Sequence, residues 1–191
     1  MNTPAHLILG AAVFARPNAT AVTAASVAGS LLPDVSLYAM ASWALFVQGI
    51  SPSIVFGQLY FSDAWQSIFA MDNSVFVWFS LLLAGYWFRR DWVMILGAAA
   101  LLHLCMDFPL HHDDGRPHFW PFSDWVFSSP VSYWDPARYG QYVGAIEVLG
   151  CILLCVLLWR RFRSWIARCT IVIAAAAEAV PAVAPVILGF S

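Results

Sequence analysis

Charge is scarce in this chain, and that scarcity decides what it can fold into. The 191 residues include 11 acidic and 9 basic side chains, and every basic one is Arg. Charged residues make up 10% of the sequence and hydrophobic ones 61%, whereas soluble domains carry charge on about 25% of their residues. Mean hydropathy is +0.73. Such a chain cannot cover a water-facing surface, and it is too apolar to stay disordered. Its few Arg form no basic stripe, which excludes a nucleic-acid partner. An integral membrane protein remains, and the ten Trp agree, because Trp gathers at membrane interfaces.

The apolar sequence divides into segments of a single domain, residues 1–191, with no internal repeat. Residues 4–15 form a short apolar helix ended by Arg16-Pro17. Twelve helical residues span about 18 Å, less than the ~30 Å hydrocarbon core, so this helix must lean on its neighbours. Asn18 is placed to cap a helix over residues 19–32, rich in small residues that permit close packing in lipid. Pro33-Asp34 is expected to break it. Residues 35–62 carry no charge but are interrupted by Gly49, Pro52 and Gly57. Residues 73–88, 92–108, 141–159 and 164–190 read as further membrane helices, the last with Pro181 and Pro185 near its end. Between two of them, residues 109–140 form a long loop with five prolines and eight aromatics. The fold expected is all-α and polytopic, with about six helices. Cys105, Cys151, Cys155 and Cys169 sit in apolar segments without a CxxC and read as small buried hydrophobes. No positive n-region precedes the first apolar segment, so no cleaved secretory signal is expected.

Arg placement orients the helices. Arg89, Arg90, Arg160, Arg161, Arg163 and Arg168 belong on the cytoplasmic side by the positive-inside rule, and Arg16 fits there too. The 109–140 loop, His6 and Asp34 then share the opposite, periplasmic face of a bacterial inner membrane. Residues 35–72 must run along the interface or form a hairpin.

Four of the five histidines fall within sixteen residues, His103, His111, His112 and His118, interleaved with Asp107, Asp113 and Asp114. His103 and Asp107 are four apart and project from one helix face. Pro109 ends the helix, so the loop can fold its imidazoles and carboxylates back over the same point. Neutral His with carboxylates suits zinc, manganese or iron, and ionisable groups in apolar helices are usually functional. His6 and Asp34 are expected to converge on the same centre from the same membrane face. Glu147 lies about one and a half turns into its helix and either reaches the metal or bonds a neighbouring helix. Mid-helix Glu178 reads as a packing or cavity group. Arg116 either binds an anionic substrate group bidentately or pairs with Asp113 or Asp114.

These pieces resemble the YdjM-type inner-membrane metal-dependent hydrolases. The resemblance is carried by His6-Leu-Ile-Leu-Gly10, Gly29-Ser-Leu-Leu-Pro33-Asp34, His103-x-x-x-Asp107 and His111-His112-Asp113-Asp114-Gly115-Arg116. That family in turn resembles the zinc-dependent phospholipase C and single-strand nuclease superfamily. The resemblance implies His6, Asp34, His103, Asp107 and the 111–118 loop as ligands, with Asp34 a possible bridge between metals. A second His-x-x-x-Glu helix is absent, and only Glu147 remains in its place.

The expected activity is metal-assisted hydrolysis of a phosphoester at the membrane face, on a phospholipid or lipid phosphate. One to three divalent ions, zinc foremost, would activate water, and Asp34, Asp113 or Asp114 would take its proton. The alternative is a non-catalytic metal-binding accessory or assembly subunit of a membrane complex, docked through the aromatic loop. Metal transport would need polar residues through the full membrane depth, and the cytoplasmic halves of the helices lack them. An enzyme's metal keeps an open coordination position beside a cavity, whereas a structural site is closed.

Overall fold

The computed structural model describes residues 1–188, with side chains to residue 180, and shows helices and no strand among them. In chain order the helices are α1 (Thr3–Phe14), α2 (Thr20–Ser42), the short α3 (Pro52–Ile54), α4 (Asp63–Asp72), α5 (Val75–Trp87), α6 (Asp91–Asp107), α7 (Gly140–Arg161) and α8 (Trp165–Leu188). π-Helical turns at Trp43–Val47 and Val55–Leu59 extend α2 and α3. Three stretches are long and apolar enough to cross a membrane: Thr20–Val47, Asp63–Trp87 and Gly140–Arg161. The part of the last expected helix beyond residue 188 lies outside the described residues.

The short α1 is the hub. It packs against α2, α6, α7 and α8, which is how a helix too short to span lipid alone is accommodated. Small residues allow this. A Cβ on Gly10 of α1 would stand 1.8 Å from the Ser30 hydroxyl of α2, and one on Gly29 of α2 would stand 2.2 Å from the Leu96 carbonyl of α6. At Gly29 backbone meets backbone, and at Gly10 backbone meets a serine side chain, at distances only glycine permits, the packing mode expected where lipid removes the hydrophobic drive between helices.

Both ends of α1 are held by α7. The backbone N–H of Asn2 donates to Glu147 Oε1 at 2.7 Å. At the other end Arg161 Nη1 donates to the carbonyls of Ala12 at 2.7 Å and Ala15 at 3.2 Å. A carboxylate at the N-terminus and a guanidinium at the C-terminus match the helix dipole and satisfy backbone groups that a helix end leaves orphaned.

Two boundaries differ from those expected. α2 runs through Pro33 to Ser42 instead of ending there. Proline removes the N–H that would bond the Gly29 carbonyl one turn earlier, and the helix continues past that lost bond; Pro33's own carbonyl accepts from Arg116 Nη1 and Asn73 Nδ2, at 3.1 and 3.0 Å. Asn18 does not cap α2; the Thr23 hydroxyl instead bonds the Arg16 backbone N–H and carbonyl. Residues 35–62 form a helical hairpin, turning at Gly49 with φ +68° and closed by Ala41, Ala44 and Val55.

Helix directions put Arg16, Arg89, Arg90, Arg160, Arg161, Arg163 and Arg168 at one end of the bundle and the His/Asp cluster at the other. Residues 109–139 lie over the cluster end with one 3₁₀ turn, Pro136–Arg138. The loop is pinned by Val75 N–H to the His118 carbonyl, Ser74 Oγ to the Trp120 carbonyl and Tyr60 OH to the Asp114 carbonyl. Cys151 and Cys155 are buried as expected; Cys105 and Cys169 face outward, and all four are free.

Candidate metal centre

Two helix ends and the interior of a third helix deliver the core of the site. α1 brings His6, α2 brings Asp34 and α6 brings His103 and Asp107, all buried. One potential ligand atom each from His6, His103 and Asp107 lies within 4.8 Å of the others, so this group could hold a metal ion. The imidazoles of His6 and His103 stack with centroids 3.6 Å apart. His6 Nε2 is 2.8 Å from Asp107 Oδ1, and His103 Nε2 is 3.2 Å from Asp107 Oδ2 and 3.8 Å from Asp34 Oδ1. The Met1 amino nitrogen also lies 2.6 Å from Asp107 Oδ1.

His103 Nδ1 lies 2.8 Å from the Ser30 carbonyl, which can only accept, so Nδ1 carries a proton. Nε2 is buried, has no hydrogen-bond partner and faces two carboxylates. A buried polar atom without a partner is costly, and a cation held between this nitrogen and the carboxylates would satisfy it. The carbonyl behind the ring is the outer contact that metal-binding histidines usually have. The donor set therefore fits a divalent transition ion.

The loop adds two groups to this core. His111 Nε2 sits 3.5 Å from Asp107 Oδ2 and its Nδ1 sits 2.9 Å from Asp114 Oδ2. Burial disfavours the charged form of His111, but Asp107 and Asp114 outweigh it and raise its pKa. For Asp114 burial is likewise outweighed by His111, and its pKa is lowered. Trp134 Nε1 also donates to Asp114 at 3.0 Å, so Asp114 orients His111. Arg116 is buried, 3.5 Å from Asp34 Oδ1 and 5.0 Å above the Phe69 ring. Its ion-pair partner is thus Asp34, not Asp113 or Asp114, and its Nε has no partner.

The remaining expected ligands stand elsewhere. His112 Nδ1 turns to the Ser129 carbonyl at 2.5 Å. His118 Nδ1 turns to the Asn73 carbonyl at 3.0 Å, and burial lowers its pKa. Glu147 caps α1 next to buried Glu178. Asp113 is exposed at the rim of the cavity above the cluster. None of these joins the His6–His103–Asp107 group.

That cavity has a volume of about 450 Å³, and Asp34, Asp107, His111, Asp114 and Arg116 reach its wall. Tyr38, Tyr60, Tyr133 and Trp134 complete it. The sequence pattern singles out neither Tyr38 nor Tyr60, which lie far along the chain from the histidine-rich segment; Tyr133 and Trp134 fall in the aromatic loop, and Ser30 in the Gly29–Asp34 motif. No family model, no curated protein and no solved structure matches the chain.

Proposed function

We propose that this protein is a membrane-bound, metal-dependent hydrolase acting on a phosphoester of a lipid-like substrate. The observation that carries it is that Asp107 of the ligand group, with Asp34 and His111 beside it, reaches the wall of a cavity that also holds one buried guanidinium, Arg116. A purely structural site would be closed by protein, which weighs against the accessory-subunit alternative. The resemblance to the YdjM-type hydrolases belongs to the same proposal.

His6, His103 and Asp107 would hold the ion, zinc by the chemistry of the donors, and Asp34 and His111 stand close enough to extend the set. When bound, such an ion polarises a phosphoryl oxygen and lowers the pKa of water. Arg116 binds the anionic group and keeps it beside Asp34. Asp34, held by the Thr3 hydroxyl at 2.8 Å through Oδ2, takes the proton of the attacking water. Asp114 is committed to His111 and Trp134 and is not the base. Six membrane crossings, a bacterial inner-membrane location and a periplasmic cluster end complete the proposal, following the Arg partition.

Elemental analysis of protein purified without chelator, together with hydrolysis of phosphomonoesters and phosphodiesters, tests it. At least one equivalent of a transition metal is expected, with activity lost in Asp107→Asn. Less than about 0.2 equivalents of any transition ion, in a protein whose donors should bind one tightly, overturns it.

A further inference from the structure

The end of α6 and the turn after it sort their side chains to two sides. Asp107 and His111 face the polar cavity, while Met106 and Leu110 line a separate groove of about 380 Å³. The opposite wall of that groove is α7, with Val143, Ile146, Gly150 and Leu154. α6 and α7 both border α1 but pack little against each other, so the groove opens on the outer apolar face of the bundle. Met1 borders both the groove and the polar cavity. Among the described residues the one carboxylate lining the groove is Glu147, whose Oε1 accepts from the Asn2 N–H.

We propose that this groove receives the acyl chain of a phosphate-bearing membrane lipid, admitted sideways from the bilayer between α6 and α7, with its headgroup beside Arg116. The inference rests on the phosphoester function proposed above and adds where the hydrocarbon lies. A bilayer lipid has its phosphate at the surface and its chains toward the midplane. The groove has the same order: Leu110 and Val143 lie at the level of the cluster, and Leu154 lies toward the Arg end. An apolar cleft alone would mean little in a membrane protein. A comparable one between α7 and α8, lined by Ile152, Cys155, Val156 and Ile171, adjoins no polar cavity. What distinguishes the α6–α7 groove is that Met1 lines both it and the ligand-bearing cavity, and that Met106 and Leu110 of the groove adjoin Asp107 and His111 of the cavity in the chain. Gly150 opens it further, since a Cβ there would meet nothing within 4 Å.

The probe is a phosphatidic acid with a diazirine on one acyl chain, in phosphatidylcholine vesicles holding the full chain. After photolysis, adducts mapped by mass spectrometry should concentrate on the half-buried Met106, Val143 and Leu154 over the outward-facing Leu149 and Leu153. Gly150→Phe fills the groove and should lower those adducts about tenfold, the effect of overpacking a site by more than 1 kcal/mol. Gly144→Phe lies on the same helix in equally open space, outside the groove, and should leave them unchanged. Labelling spread evenly over Leu149, Leu153 and the groove means annular lipid only and overturns the inference; the wild-type map decides this even if Gly150→Phe misfolds. Concentrated labelling insensitive to a folded Gly150→Phe overturns it too. The readout needs no turnover. Focused labelling without hydrolysis of any phosphoester would keep the groove and remove the hydrolase; hydrolysis with diffuse labelling would do the reverse.

Discussion

Asp107 is the residue on which the site turns, because its two oxygens meet His6, His103 and His111. Asp107→Asn keeps the shape and removes the charge, leaving a neutral amide among imidazoles. Bound metal should fall below one tenth of the wild-type content, read by elemental analysis, since removing even an outer-shell partner costs about 10–100-fold in affinity. Asp114→Asn provides that milder case: it loosens His111 and should weaken binding about 10–100-fold without abolishing it. His112→Ala should leave metal content unchanged, because its ring is bonded away to Ser129; a loss equal to that of His103→Ala would place His112 in the centre. The helical pair was legible in the sequence because a spacing of four fixes a common face. The loop pair was not. Adjacent His111 and His112 point to opposite sides of an irregular backbone, and only the fold decides which one faces Asp107.

Among the elements, α1 is the least self-sufficient and the most central. The distance between its two supports on α7, Glu147 and Arg161, matches the length of the helix they hold, about 20 Å at 1.5 Å per residue. That match is visible in the sequence once α1 is known to lie against α7, and invisible before. A membrane carboxylate therefore read equally well as ligand or as helix partner. Glu147→Ala should lower thermal stability in detergent by about 1–2 kcal/mol, the worth of a lost N-terminal cap, while metal stoichiometry stays at the wild-type value. Arg161→Ala should cost about 1 kcal/mol at the opposite end. Loss of metal in Glu147→Gln, which keeps an acceptor for the Asn2 N–H, would reassign Glu147 to the centre. α2 shows the limit of a proline rule. Pro33 predicts a break, yet the helix continues to Ser42, and Arg116 and Asn73 donate to the proline's own carbonyl. The residue that looked like a terminator thus sets the backbone to which the buried cation is anchored.

For the molecule as a whole, the charge distribution was the most legible feature of the sequence, and it agrees with the two ends that the helix directions create. The seven Arg at one end and the His/Asp cluster at the other are separated by about 21–24 Å, taken along α2 from Thr20 to Asp34 and along α6 from Asp91 to Asp107 at 1.5 Å per residue. The hydrocarbon core is ~30 Å thick. With the Arg end at the cytoplasmic boundary, the cluster lies just inside the opposite boundary, roofed by residues 109–139 and flanked by the 35–62 hairpin. A buried carboxylate–imidazole group at that depth is stable only when paired or coordinated, and the lipid phosphate proposed as substrate would need only a short displacement from the surface to reach it. Sidedness is the part of this arrangement open to direct measurement. In a variant lacking the four native cysteines, a single cysteine at Asp124, exposed in the loop, should react with a membrane-impermeant maleimide in intact cells. One at Arg163 should react only after the membrane is opened. The two sites are complementary reporters on exposed segments, so failed labelling of both signals an expression defect and not a topology. Labelling of Arg163 but not Asp124 in intact cells would invert the bundle, turn the cavity to the cytoplasm and require the substrate to come from the inner leaflet.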